Sequence, residues 1–219
     1  MPKPIVIFDF DGTLIDSRAD LTTAVNLTRA DFGLPPLPLD RVTGYVGDGV
    51  RKLIERAFTG AAVDIDAAVT RMKAHYLDHM LDATTLYPGA TATLAALRAQ
   101  GYNLAIVTNK PTQPALGICQ HLGIAPYFGA ILGGDSCPKL KPDPEPLYQA
   151  MRLTGSGATG SWVVGDNYTD MAAGTRAGLR RCFCAFGFGD IQGEAYDLKV
   201  NSLGEFAAHV GERREPPVP

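Results

Sequence analysis

The feature that most constrains this chain is the run Pro4-Ile5-Val6-Ile7-Phe8, which carries no polar side chain and breaks off at Asp9-Phe10-Asp11-Gly12-Thr13. A strand with one wet face would alternate apolar and polar residues. An unbroken apolar run implies burial on both faces, as in a parallel sheet covered by helices on either side. The polar residues that follow then stand at the carboxyl end of the strand, where open α/β sheets bind their ligands.

The remainder of the chain supplies the layers such a strand requires. Strands are expected at 103–108, 130–133, 161–165 and 181–185, alternating with helical patterns near 89–100, 113–122, 144–153, 168–177 and 202–210. Gly101, Gly123 and Gly178 stand where helices close in a left-handed residue. Between the first strand and Tyr87-Pro88-Gly89 the pattern changes. A helix opened by Ser17 as N-cap carries Leu21, Val25, Leu27 and Phe32 as far as Gly33. After the Pro-rich turn Leu34 to Pro38, two more helical stretches cover about 48–58 and 64–82, with no convincing strand. The sequence thus predicts a doubly wound, mostly parallel α/β sheet of Rossmann-like type from residues 1–15 and 84–219. An all-helical insertion, 16–83, interrupts it. The tail from Glu212 to Pro219 is expected to be mobile.

With 219 residues, 46% of them hydrophobic, the chain can bury a core without disulfides. A net charge of −3, with neither basic runs nor aromatic-basic interleaving, argues against nucleic acid or an anionic membrane as partner. Apolar runs fall far short of the roughly 18 residues of a membrane span. No leader-like segment opens the chain, so a cytoplasmic protein, monomeric or homodimeric, is expected. Cys119, Cys137, Cys182 and Cys184 form no C-x-x-C and read as buried inert thiols. His75 and His79 share a helical face, but no Glu or third ligand accompanies them to make a zinc site.

Four strand ends carry groups capable of chemistry: Asp9 with Asp11, Thr108 with Asn109, Lys141, and Asp166 with Asp170. Two residues apart on extended backbone, Asp9 and Asp11 point the same way. At about 4 Å and an effective dielectric near 20, two carboxylates repel by roughly 4 kcal/mol. A fold tolerates that if a cation lies between them or one keeps a proton. Both conditions suit phosphoryl transfer. A hard divalent ion held by few carboxylates describes Mg2+, and it would screen a phosphate dianion from an attacking carboxylate. A second carboxylate can protonate the leaving alkoxide and then deprotonate water. Asp166 could instead be a helix N-cap and Asp170 a solvated helix residue, but a metal needs further oxygen donors, and these two are one turn apart. Lys141 precedes Pro142, which restricts its backbone, and Asp143 can cap a helix begun by Pro144. Lys139 is a rival without that restraint. Thr108 either binds a phosphate oxygen or caps the next helix. Arg51, after the loop Val46-Gly47-Asp48-Gly49, is a candidate cation for a substrate carboxylate.

At these residues the chain resembles the haloacid-dehalogenase-like hydrolase superfamily over nearly its whole length. Asp9-Phe10-Asp11-Gly12-Thr13 looks like the first motif of that superfamily, Thr108 the second, Lys141 the third, and Gly165-Asp166 with Asp170 the fourth. The helical insertion is similar to its alpha-helical cap. The resemblance implies Asp9 as nucleophile and metal ligand, and Asp11 as acid/base with its backbone carbonyl on the metal. It implies Asp166 as a metal ligand, Asp170 in support of the metal, and Thr108 and Lys141 around the phosphoryl group. Within the superfamily the likeness is to the phosphoglycolate phosphatases of bacteria. It rests on the Val46 loop, Tyr87-Pro88-Gly89, Val107-Thr108-Asn109-Lys110-Pro111 and the segment Gly134 to Leu147. Asn167 departs from the Ser often found there and still offers an oxygen.

The expected substrate is therefore a small phosphorylated metabolite. Phosphatases of sugar or amino-sugar phosphates share several of these features, and a phosphomutase shares the whole phosphoryl apparatus. A non-enzymatic phospho-acceptor domain needs neither a cap nor a second carboxylate like Asp11. A dehalogenase needs no leaving-group acid.

Overall fold

The computed structural model describes residues 2–212. Strand β1 (Lys3–Phe8) leads through a two-residue strand β2 (Ile15–Asp16) into four helices. These are α1 (Arg18–Asp31), α2 (Leu39–Thr43), α3 (Val50–Ala57) and α4 (Ile65–His79), after which the chain returns through β3 (Thr85–Leu86). Helices and strands then alternate through α5 (Ala90–Ala99), β4 (Asn103–Val107), α6 (Thr112–His121), β5 (Ala130–Leu132) and α7 (Glu145–Thr154). They continue as β6 (Ser156–Gly165), α8 (Tyr168–Ala177), β7 (Arg180–Cys184), β8 (Leu198–Val200) and α9 (Leu203–Glu212).

Six strands make one parallel sheet in the order β5-β4-β1-β6-β7-β8. The chain winds outward from β1 to β5, then crosses back to β6 on the other side. This leaves a crevice at the carboxyl end of β1. Apolar side chains of β1 are split between the two faces. Ile5 and Ile7 pack with Leu147, Ala150 and Ala173 of α7 and α8. Val6 and Phe8 face the side of Leu94, Leu97 and Phe206 of α5 and α9. Phe206 meets Phe8 and Trp162 edge-on, at centroid separations of 6.3 and 5.6 Å. Each such ring, fully buried, contributes roughly 1.5–3 kcal/mol. The β1–β6 ladder shifts register between Pro4 and Val6, and the Ile5 N–H left over there donates to Ser161 Oγ at 2.9 Å.

Helices α1–α4 form the inserted cap, α1 packing against α4, with an interior of Ala24, Val25, Ile54, Ala68 and Met72. The expectation of no strand before Tyr87 is corrected by β2 and β3, which pair antiparallel through Ile15↔Leu86 and Asp16↔Thr85. Their partners are about seventy residues apart in the chain, and two residues are too few for a period. The short helix α2 and edge strand β8 were not foreseen for the same reason of length. Ser17 precedes α1 as expected, but its hydroxyl donates to Asp11 rather than capping the helix. Glu212 closes α9, and the rest of the predicted mobile tail, 213–219, lies outside the described residues. Among the described residues no helix is long and apolar enough to cross a membrane.

Candidate active site

The last rung between β1 and β6 is Asp9 N–H to Val164 O, 2.8 Å, so the Asp9 carboxylate emerges at the carboxyl end of the central strand. Lys141 Nζ stands 2.9 Å from Asp9 Oδ1 and 2.5 Å from Asp170 Oδ1. Asp170, in the first turn of α8, is fully buried, and its second oxygen accepts the Asn167 N–H at 3.2 Å. Asp166, where β6 ends, accepts the N–H groups of Phe188 and Gly189 at 2.9 and 2.7 Å and the Thr13 hydroxyl at 3.4 Å. Carboxylate oxygens of Asp9, Asp166 and Asp170 all lie within 4.8 Å of one another. Gly12, at φ +82°, lets the loop after β1 close on this group. A Cβ there would sit 2.0 Å from Asp166 Oδ2.

Each ionised pair at 4.8 Å repels by about 3.5 kcal/mol at an effective dielectric near 20. Three carboxylates facing one ammonium leave two negative charges unmatched. Burial, then Asp9 and Asp170, push Asp166 well above the usual carboxylate range. Burial and Asp9 raise Asp170 to about 7 against the opposing pull of Lys141. Burial works against charge on Lys141, but Asp170 and Asp9 outweigh it and hold the ammonium pKa above its ordinary value. A compact set of buried oxygen donors with a surplus of negative charge fits a hard divalent cation.

Asp11 stands apart from that cluster. Lys110 Nζ lies 2.8 and 2.9 Å from its two oxygens, and Ser17 donates to one of them. The Lys110 ammonium also sits over the Tyr76 ring of α4, 4.5 Å from its centroid. Burial opposes its charge, but Asp11 and Tyr76 prevail and raise its pKa. The Tyr76 hydroxyl, chiefly through burial, is pushed up to about 12. Thr108 extends β4 by an N–H bond to Leu132 O, 3.0 Å, and its hydroxyl accepts the Lys110 N–H at 3.2 Å.

Asn109 is a fastener. Its Nδ2 donates to Gly47 O of the cap and to Lys141 O, both at 2.9 Å, while its Oδ1 accepts the Lys141 N–H at 3.0 Å. Beside it, Tyr168 of α8 donates its hydroxyl to Asp48, which also pairs with Arg56. Gly47, at φ +124°, passes so close to Asn167 that a Cβ would lie 2.6 Å from Nδ2.

Between cap and sheet lies a cavity of about 170 Å³. Asp9, Asp11, Thr108, Asn109, Lys110 and Asp166 line it from the sheet side; Leu53, Met72, Lys73 and Tyr76 are among its cap residues. Lys141 and Asp170 reach it through their contacts with Asp9 and Asp166. Arg51 is not brought here: its side chain is 56% exposed, pairs with Asp66 and Glu55, and is absent from the lining. The physical reason is that Gly49 starts α3 with Arg51 on its outward side, where acidic neighbours capture the guanidinium. Lys139 is 62% exposed and pairs with Asp143 at 3.0 Å. His75 and His79 pair separately with Asp31 and Asp82. The reading of Asp170 as a solvated residue is excluded by its burial, and the N-cap of α8 is Asn167, not Asp166.

No motif or spacing in the sequence gives Lys110 a role or points to Tyr76, Lys73, the Ser17 bond or the Phe188–Gly189 amides. The nearest signal is that Lys110 precedes Pro111 as Lys141 precedes Pro142.

The family model of haloacid dehalogenase-like hydrolases matches residues 6–184. A phosphoglycolate phosphatase of Cupriavidus necator, encoded on a plasmid, is 39% identical over 210 residues, covering 93% of this chain and 91% of that protein. The phosphoglycolate phosphatase of Neisseria gonorrhoeae is 41% identical over 194 residues, 85% of this chain and 81% of that one. Among solved structures, a predicted phosphoglycolate phosphatase from Haemophilus somnus superposes with a TM-score of 0.89 at 29% identity, covering 94% of this chain and 97% of that chain.

Proposed function

Because the chain belongs to the haloacid dehalogenase-like hydrolases, we propose that it is a magnesium-dependent phosphatase of a small metabolite, 2-phosphoglycolate first, acting through an aspartyl-phosphate on Asp9. The observation that carries this reading is the cluster of Asp9, Asp166 and Asp170, with Lys141 paired to the first and third, at a cavity between cap and sheet. We take residues 1–15 and 84–219 as the catalytic core and 16–83 as the cap. Four free cysteines suit the reducing cytoplasm.

Asp9 attacks phosphorus, and the ester P–O bond to the leaving oxygen breaks. Lys141 and Thr108 hold the phosphoryl oxygens in place. Asp11 gives its proton to the leaving alkoxide, then takes one from the water that cleaves the acyl phosphate, releasing inorganic phosphate. At rest the Asp11 carboxyl group accepts from Lys110 and Ser17, which fix its orientation at the edge of the cavity. Asp9, Asp166 and the Asp11 backbone carbonyl would hold the magnesium ion, with Asp170 in support. Bound there, it supplies positive charge that offsets the carboxylates and screens the phosphate dianion. The cap residues over the cavity exclude bulk water during the covalent stage.

The test is phosphate release from 2-phosphoglycolate, sugar phosphates, nucleotides and pyrophosphate, with and without magnesium, for the native protein and Asp9→Asn. The expected result is turnover of 2-phosphoglycolate that needs magnesium and is abolished in the folded variant. Normal release by Asp9→Asn would remove the nucleophile assignment, and a preference for hexose phosphates would move the substrate elsewhere.

A further inference from the structure

Two cationic side chains, Lys110 and Lys73, line the cavity among the described residues, and only one is committed. Lys110 spends its ammonium on both oxygens of Asp11. The basic residues of α3 are engaged as well: Arg51 with Asp66, Lys52 with Glu55 at 2.7 Å, and Arg56 with Asp48. Among the described residues Lys73 forms no ion pair within 4.0 Å. It sits on α4 one turn before Tyr76, the residue whose ring roofs Lys110. Facing it from the sheet side is Asp135, held by the N–H and hydroxyl of Thr112. Burial tends to raise the Asp135 carboxyl, but the Thr112 bonds and the nearby charge of Lys73 bring it below its ordinary range. A long stem on apolar neighbours with its ammonium at a wet edge is the usual lysine posture. Lys73 is exposed on α4 and contributes to the lining of the cavity from the cap side.

We propose that Lys73 is a specificity-determining residue, which binds a second anionic group, a carboxylate, on the far end of the phosphate ester. The inference rests on the phosphatase reading of the site and assigns the role that sequence reasoning gave to Arg51. A phosphorylated hydroxy acid presents its phosphoryl group to Asp9 and Lys141 at the foot of the cavity. Its carboxylate is directed up to α4. Esters with neutral tails leave Lys73 in water and gain nothing from it, so the cap discriminates by charge.

The experiment compares 2-phosphoglycolate with 2-hydroxyethyl phosphate, which replaces the carboxylate by a neutral alcohol of similar size. A charge-assisted contact of this kind corresponds to roughly tenfold to a hundredfold in kcat/KM. Lys73→Ala should lose that factor on 2-phosphoglycolate, mainly through KM, and stay within about twofold on the neutral ester, with Lys73→Arg recovering most of it. Lys52→Ala, on the outer face of the cap, should change neither. Equal losses on both esters, or no loss on 2-phosphoglycolate, would overturn the assignment. If the native protein ignores both two-carbon esters, the phosphoglycolate reading fails by itself. The inference is then decided by the same ratio on 3-phosphoglycerate against glycerol 3-phosphate.

Discussion

Replacing Lys110 by methionine keeps most of the stem and deletes the charge, so it isolates the energetics of the Asp11 grip. The pair is deep: Lys110 and Asp11 side chains are 4% and 11% exposed, with Nζ at 2.8 and 2.9 Å from the two oxygens. Removing one partner of a buried ion pair costs about 3–5 kcal/mol, because the other charge is left unmatched. Loss of the contact with the Tyr76 ring adds about 0.5–1 kcal/mol. Against a total stability of roughly 5–15 kcal/mol, that is a large fraction. The melting temperature should fall by about 7–24 °C, taking roughly 2–4 °C per kcal/mol for a chain of this size. Urea unfolding can be followed through the single tryptophan, Trp162, buried against Phe206. The decisive comparison is a cycle with Asp11→Asn. The double variant should be more stable than the sum of the single losses requires, by at least about 2 kcal/mol. A cost below about 1 kcal/mol for Lys110→Met, or strictly additive losses, would refute the reasoning.

Lys141→Ala should lower kcat on the order of a thousandfold while Lys139→Ala, whose charge is solvated, stays near the native rate; the reverse order in steady-state assays would reassign the phosphate clamp. The metal-free protein should lose stability as pH rises from about 4 to 7. The raised carboxyls of Asp166 and Asp170 keep protons in the fold that the unfolded chain has already released, so the fold binds more protons across that window. Magnesium should therefore raise the melting temperature more at pH 8 than at pH 5.5, and a scan showing the opposite trend would discard the cation site. Asn109→Ala removes the bond to Gly47 and both bonds to the Lys141 backbone, and should cost about 1–3 kcal/mol in urea and raise KM. An unchanged KM would mean that the cap is seated without it.

The centre of the sheet was legible because β1 and β4 are apolar on both faces, and a run such as Ile5 to Phe8 has no other economical fate. The acid cluster was legible because Asp9 and Asp166 each follow the end of a strand and Asp170 lies one turn into the helix after the second, so topology brings them together. What escaped notice depends on helix azimuth and on distant partners. Nothing in the α3 pattern says that Arg51 turns to Asp66, and nothing near Lys73 or Tyr76 says that α4 turns that side to the sheet. Nothing local marks the grip of Lys110 on Asp11, because the two residues are 99 apart in the chain. The β2–β3 pairing is invisible to any local window.

That small ribbon has an architectural consequence. Where the chain leaves for the helices and where it comes back, Ile15–Asp16 and Thr85–Leu86 run side by side, their Cα atoms about 4.5–5.5 Å apart. A module whose two ends touch can be lengthened, shortened or exchanged without moving the strand that carries Asp9. A hybrid that grafts a foreign helical segment onto those four residues should keep its catalytic platform and change its taste in esters.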